Sequence, residues 1–493
     1  MRLSKFIEST FLVVTTVFLS ACAKDANLSL PTIFSNNMVL QQNSNAAIWG
    51  KATPGTKVTV TGDWGATASA KAAVDSTWLL NLPTRGAGGP YALRVTANKT
   101  AITINNVLLG EVWLASGQSN MEMPLAGWPP KDPIMNSEAT ITTSDNSEIR
   151  MFTVLRNTSA VPLEDVSGDW QLASPETAGR FSATAYFFAR KLNQELRVPI
   201  GIIHSSWGGT PAEAWVSGKM LTIDKDFSDA IKQVEELGTM NNDSATLAAL
   251  SLTLSAHTPS ALFNAMIAPL TPYSLKGAIW YQGESNVGRA HQYMRLKSML
   301  VTDWRNQFNN PDFSFYYVQL APWHYNDVKG TSSANLREAQ RRMMDLANTG
   351  MISTLDIGNV DNIHPANKTD VGERLALWAL AKNYQRDIPF SGPIPTDKET
   401  LGNALHISFK HTVDALIINE TVPNQFEIAG KDGVFHPAQT LVKGDTLILS
   451  SKNVTAPVNA RYAYKNGSVA SLFNSAGLPA PSFSTEDEIA ENQ

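Results

Sequence analysis

From Val107 to about Tyr384 short apolar runs alternate with segments of helical period, and that alternation leaves few architectures open. Val112–Ala115, Pro199–His204, Gly277–Tyr281, Phe315–Leu320 and Met351–Leu355 are short and dominated by apolar residues, as strands covered on both faces are. Ala183–Leu196 (ATAYFFARKLNQEL) separates apolar from charged residues at helical spacing. Further helices are expected through Trp304, over Asn335–Ala347 and up to Tyr384. Strands separated by helices imply an α/β domain, a parallel sheet with helices on both faces. Residues 218–260 read as helical and polar, an external insertion or lid.

On both flanks the period falls to two. AAIWGKA, TKVTVTGDWG and YALRVTAN place β-branched and aromatic residues at alternate positions, with Pro54-Gly55 and Gly88-Gly89-Pro90 as turns. A β-sandwich-like module is therefore expected over 31–105. The α/β domain is placed at 106–390, and a second β-rich module, with ALIIN, FEIAG, TLILSS and ARYAYKN, at 391–486. An acidic tail occupies 487–493. A chain of 493 residues is too long for one small core, so several units are expected.

Residues 1–22 read as a targeting segment. Arg2 and Lys5 give a basic start, and Phe11–Leu19 is apolar but too short to span a bilayer. The segment ends Leu19-Ser20-Ala21-Cys22, a lipobox-like sequence that implies lipid on Cys22 and a membrane anchor, followed by a polar linker over 23–30. Cys22 is the only cysteine, so no internal disulfide or thiolate metal site can form. No HExxH, no histidine pair at ligand spacing and no phosphate-binding glycine loop occurs, so neither metal nor cofactor is expected. With a net charge of −5 and no Lys/Arg block, nucleic acid is not an expected partner.

The chemistry gathers at strand ends. Val112–Ala115 runs into Ser116-Gly117-Gln118-Ser119-Asn120, and a strand stopping on a Gly-x-Ser turn presents a nucleophile. Downstream, Gly208-Gly209 lets a backbone N–H approach a substrate oxygen, and Gln282–Asn286 offers two amides and a carboxylate after another strand. Glu284 has a second reading there, as a buried group organising the loop. Only His364, of the eight histidines, has an aspartate three residues before it. That spacing lets Asp361 fold back onto the imidazole, leaving the other ring nitrogen for Ser119. The plainer reading of this loop is a polar helix entry.

The motifs WLASGQSNMEMP, FSATAYFFARKL, SSWGGTPAEAW, WYQGESN, YYVQLAP and DNIHPANK, in this order, resemble those of sialate O-acetylesterase family proteins, carbohydrate esterases of the SGNH type. The resemblance implies an SGNH-hydrolase-like three-layer α/β/α domain, with Ser119 as nucleophile, His364 as general base and acid, and Asp361 as its orienter. It implies an oxyanion hole built from Ser119, Gly209 or Gly208, and Gln282, with Asn286 competing for the last place. Gln118 stands where SGNH enzymes usually carry aspartate, and Gly283-Glu284-Ser285-Asn286 replaces their Gly-x-Asn-Asp. The implied activity is removal of O-acetyl groups from sugars, sialic acids first, with acetyl-xylan or another plant glycan as the alternative. A carbohydrate-binding lipoprotein with an inactive site is the non-enzymatic alternative.

Overall fold

A computed structural model describes residues 27–239 and 254–489. The targeting segment with Cys22, the first half of the 23–30 linker, part of the 218–260 insertion and the end of the tail lie outside the described residues.

One strand joins the first two units. β1 (Thr100–Gly117) begins with alternating exposure, and from Val107 every residue is buried. Its neighbours explain the change. Thr100–Val107 pairs antiparallel with Tyr91–Ala97 of the N-terminal module, one face solvated. Trp113–Gly117 has a parallel neighbour on each side and helices on both faces. The boundary expected at 105/106 therefore falls inside a continuous strand. In the module itself Thr77–Pro83 shows strict alternation, with Trp78, Leu80 and Leu82 turned inward.

The central sheet adds β2 (Asn146–Thr153), β3 (Trp170–Ala173), β4 (Ile200–Ser206), β5 (Gly277–Tyr281), β6 (Ser314–Val318) and β7 (Thr349–Ile352). Their order is β7-β6-β5-β1-β4-β2-β3. Six strands are parallel, and β3 runs antiparallel to β2 at the edge. Neither β2 nor the edge strand β3 was expected from sequence: β2 opens on polar Asn146-Ser147-Glu148, and β3 is only four residues long. The sheet is thus mixed rather than purely parallel.

Successive residues of each strand enter opposite cores, which makes the three layers. Trp113, Ala115, Ile279 and Tyr281 meet the helices α2 (Ala183–Leu196) and α5 (Lys368–Lys382) on one face. Val112, Leu114, Ala278 and Trp280 meet α3 (Ala290–Gln307) and α4 (Ser332–Arg342) on the other. The C-terminal module forms antiparallel sheets around Leu405, Ile407, Phe426, Leu447, Tyr462 and Phe483, and Leu355 of the α/β domain inserts into that core.

Helices α2 and α5 cross closely at Gly372. A Cβ there would lie 2.6 Å from Phe187 Cβ and 2.7 Å from both Phe188 N and Thr184 O. Gly372→Ala gains about 1 kcal/mol of helix propensity. Two of the three clashes are with backbone, which does not yield cheaply, and overpacking of this kind costs about 1–3 kcal/mol. The clash should win, lowering the denaturant midpoint. An unchanged or raised midpoint would mean that the helix pair has slack.

Candidate active site

The turn that carries Ser119 is built by close backbone approach. Gly117 has φ +138°, and a Cβ on it would sit 2.1 Å from the Tyr281 carbonyl oxygen, so only glycine lets β1 end against β5. Gln118 N–H then donates to Tyr281 O at 2.9 Å, and Ser119 opens the short helix α1 (Ser119–Glu122). As the first helical residue, Ser119 has a backbone N–H with no acceptor inside the helix. Its side chain faces a cleft of about 670 Å³ beyond the carboxyl ends of the strands.

His364 enters from the loop between β7 and α5. Its Nε2 lies 3.0 Å from Ser119 Oγ, and the edge of its ring meets Trp128, with centroids 5.2 Å apart. The group behind it is not Asp361. That side chain is 84% exposed and faces His324, at 3.8 Å. Nδ1 of His364 instead meets Asp132 Oδ2 at 3.4 Å, and the Asp132 side chain is only 6% exposed. The loop's turn explains the difference. Asp361 N–H donates to Asn359 Oδ1 and Asn362 N–H to Asn359 O, so the turn closes with Asn362 facing inward. Asn362 accepts from His364 N–H at 2.8 Å and donates to Asp132 Oδ1 at 2.9 Å. Asp132 itself is fixed by reciprocal backbone bonds with Trp128.

Burial holds the His364 pKa below the ordinary histidine value, opposed by the Asp132 carboxylate and reinforced by the nearby Lys368 ammonium. Lys368 is fully buried and pushed down to about 7 by desolvation. Its Nζ donates to Asn120 Oδ1 at 2.7 Å and to Pro365 O at 2.8 Å. Asn120 Nδ2 donates to Glu284 Oε1 at 2.6 Å and to Ile363 O at 2.9 Å. Glu284, its carboxyl pKa raised by burial, thus helps tie the serine turn to the histidine loop. Neither Asp132 nor Lys368 carried a sequence signal: one sits in an aperiodic proline loop, the other in the first turn of a helix.

The expected oxyanion donors divide. Gly208 N–H is taken by Glu122 Oε2 at 2.8 Å, and Glu122 is also paired with Arg156. Gly209, in the left-handed region at φ +77°, lines the cleft. Gln282 is fully buried, and its amide donates to Asn286 Oδ1 at 2.6 Å and Thr210 O at 3.3 Å, so it has no hydrogen left for a substrate. Asn286 is fully buried too and does not line the cleft: it donates to Glu213 at 3.0 Å and accepts from Ala212 N–H. Of the side-chain amides that line the cleft, the one next to Ser119 in the chain is Gln118. Its Oε1 accepts from Gly283 and Ser285 N–H, both at 3.3 Å, which leaves Nε2 as the end available to a ligand.

A serine at a strand end, within hydrogen-bonding reach of a histidine backed by a buried carboxylate, defines a serine hydrolase of the α/β class. Comparison with known proteins narrows the class. The carbohydrate esterase family described as sialic acid-specific acetylesterase matches residues 254–381. The sialate O-acetylesterases of Homo sapiens and Pongo abelii are each 34% identical over 414 residues, 75% of this chain and 74% of theirs. A carbohydrate acetylesterase from Xanthomonas citri, solved by crystallography, has a TM-score of 0.82 at 34% identity, covering 93% of this chain and 100% of that one. The chain belongs to the sialate O-acetylesterase family and is a carbohydrate esterase.

The two aspartates separate cleanly by experiment. Asp132→Asn should lower kcat on an aryl acetate on the order of 10³–10⁴-fold, the scale seen when a histidine loses its orienting carboxylate. Asp361→Asn should stay within about threefold of wild type, as expected for an exposed side chain away from the reacting atoms. The reverse order would return the orienting role to Asp361.

Proposed function

We propose that the chain hydrolyses O-acetyl esters on sugars through an acetyl-enzyme on Ser119. The observation that carries this is the 3.0 Å contact between Ser119 Oγ and His364 Nε2 inside the cleft. Ser119 Oγ bonds to the acetyl carbon while its proton passes to His364 Nε2. Asp132 holds the ring and stabilises the imidazolium. The carbonyl oxygen, now negative, is received by the Ser119 and Gly209 N–H groups, with Gln118 Nε2 as the side-chain donor in place of Gln282. Collapse breaks the bond to the sugar oxygen, which takes the proton from His364. Water then repeats the attack with His364 as base and releases acetate. An O-acetylated sialic acid is the first substrate to test, because the mammalian relatives are named sialate O-acetylesterases.

Ser119→Ala should abolish acetate release on the order of 10³-fold or more with the fold intact. Wild-type turnover in that variant would remove the nucleophile.

The pH profile follows from the charges on His364. The base must be neutral to accept a proton, so kcat/KM rises with pH and levels off. Its midpoint should fall below about 6.5, since burial lowers the His364 pKa. Lys368→Met removes a cation that lowers that pKa, so the midpoint should move up. A midpoint that stays or moves down would exclude Lys368 from the electrostatics of the base.

The same reading puts the enzyme on an envelope membrane through lipid at Cys22, supported by Leu19-Ser20-Ala21-Cys22 after an apolar run. Cells fed a clickable fatty acid should label the wild type and not Cys22→Ser. Equal labelling of both would rule the anchor out.

A further inference from the structure

The C-terminal module bears on the cleft wall through Asn466. Beyond Ser119, Gly209 and His364, the cleft is lined by Trp323, Tyr325, Asn326 and Asp327. These belong to the stretch from Gln319 to Thr331, between β6 and α4, which has no regular structure of its own. A segment of that kind keeps one shape only if something else holds its polar groups.

Asn466, only 5% exposed, does so at both ends. Its backbone oxygen accepts from Trp323 N–H at 3.2 Å, and its backbone N–H donates to Gly330 O at 2.8 Å. Its Nδ2 donates to the Asp327 carboxylate and to Tyr325 O. Its Oδ1 accepts from Ser333 N–H at 3.0 Å and Ser333 Oγ at 2.9 Å, at the start of α4. The turn that carries Asn466 is anchored in its own right. Arg337 of α4, fully buried, donates to the carbonyls of Ala463, Lys465 and Asn466.

What the segment presents is chemically pointed. The Trp323 and Tyr325 rings meet edge to face at 4.7 Å beside the Asp327 carboxylate and the Asn326 amide. The negative face of an aromatic ring suits the weakly positive C–H face of a sugar ring, and amide and carboxylate oxygens suit its hydroxyls. The acetyl group needs none of this, being small and held at Ser119.

We propose that Trp323 and Tyr325 form the sugar-binding wall of the cleft, and that Asn466 of the C-terminal module is the positioning residue that holds this wall in place. The proposal rests on the carbohydrate-esterase reading above and adds where the sugar sits and what the last module does.

The test uses the mature chain and three probes: 4-nitrophenyl acetate, 9-O-acetyl-N-acetylneuraminic acid and acetylated xylotriose. The aryl ester occupies the acetyl side alone, whereas the sugar esters need the wall. Trp323→Ala and Asn466→Ala should each raise KM for the cleaved sugar ester, lowering its kcat/KM relative to that of the aryl ester by about tenfold. Asn466→Asp supplies a second variant in case the alanine form does not fold. It keeps the Ser333 contacts but sets a carboxylate against Asp327, and it should give the same split. A ratio unchanged in all three variants, including equal losses on both ester types, overturns the proposal. Wild-type cleavage of the aryl ester with neither sugar ester hydrolysed overturns the carbohydrate reading and the proposal with it.

Discussion

The site depends on the carboxamide of Asn120. It lies fully buried between a cation and a carboxyl group, with Lys368 donating to its oxygen and its nitrogen donating to Glu284 and to Ile363 O. Reversing the amide would set NH₂ against ammonium and oxygen against carboxyl, so the environment admits one orientation. Each partner left unsatisfied in such a place costs about 1–3 kcal/mol. Burial drives both flanking groups toward neutrality, Lys368 downward and Glu284 upward, and their mutual attraction opposes that drive. The result is a three-way tie between the serine turn, the loop after β5 and the histidine loop. The first and last of these are 245 residues apart at Ser119 and His364, yet their reacting atoms are 3.0 Å apart.

Much of this was legible in the sequence, and the exceptions have physical causes. Ser119 and His364 could be read because a strand end, a glycine and a loop histidine are local signals. Glu284 could be read as an organising group because it follows a buried strand directly. The aspartate could not. A carboxylate three residues before a histidine is a spacing argument, and spacing fixes reach but not direction. The Asn359–Asn362 turn points Asp361 outward to solvent and Asn362 inward. The carboxylate that meets His364 comes from 232 residues earlier, in a loop whose only pattern is Trp128-Pro129-Pro130. Gln282 failed for a related reason. Following a buried strand puts a side chain near the site, but this one turns into the protein, where Asn286 and Thr210 already hold it.

The module boundaries show a similar limit. The change of pattern at Val107 is real: it is where β1 passes from alternating to continuous burial. In sequence such a change looks like the end of one unit and the start of another. In the fold it marks only a change in what covers the strand, first solvent and then helices. The N-terminal module is therefore wired into the central sheet by a shared backbone. The C-terminal module is joined instead by side chains, among them Leu355 in its core, Arg337 under its turn and Asn466 behind the cleft wall.

In the proposed reaction, the opposing charges around His364 serve both halves of the cycle. A free base is needed before attack, and burial together with Lys368 keeps the ring neutral below the usual histidine range. A cation is needed once Ser119 has lost its proton, and only then does Asp132 at 3.4 Å become a full ion-pair partner. An interaction that strengthens as charge develops lowers the barrier, whereas one already complete in the resting enzyme lowers both states alike. Had Asp132 acted alone, each unit by which it raised the histidine pKa would add about 1.4 kcal/mol to the cost of deprotonating the base. Burial of the ring offsets that cost in the resting state. The carboxylate remains close enough to act when the proton arrives.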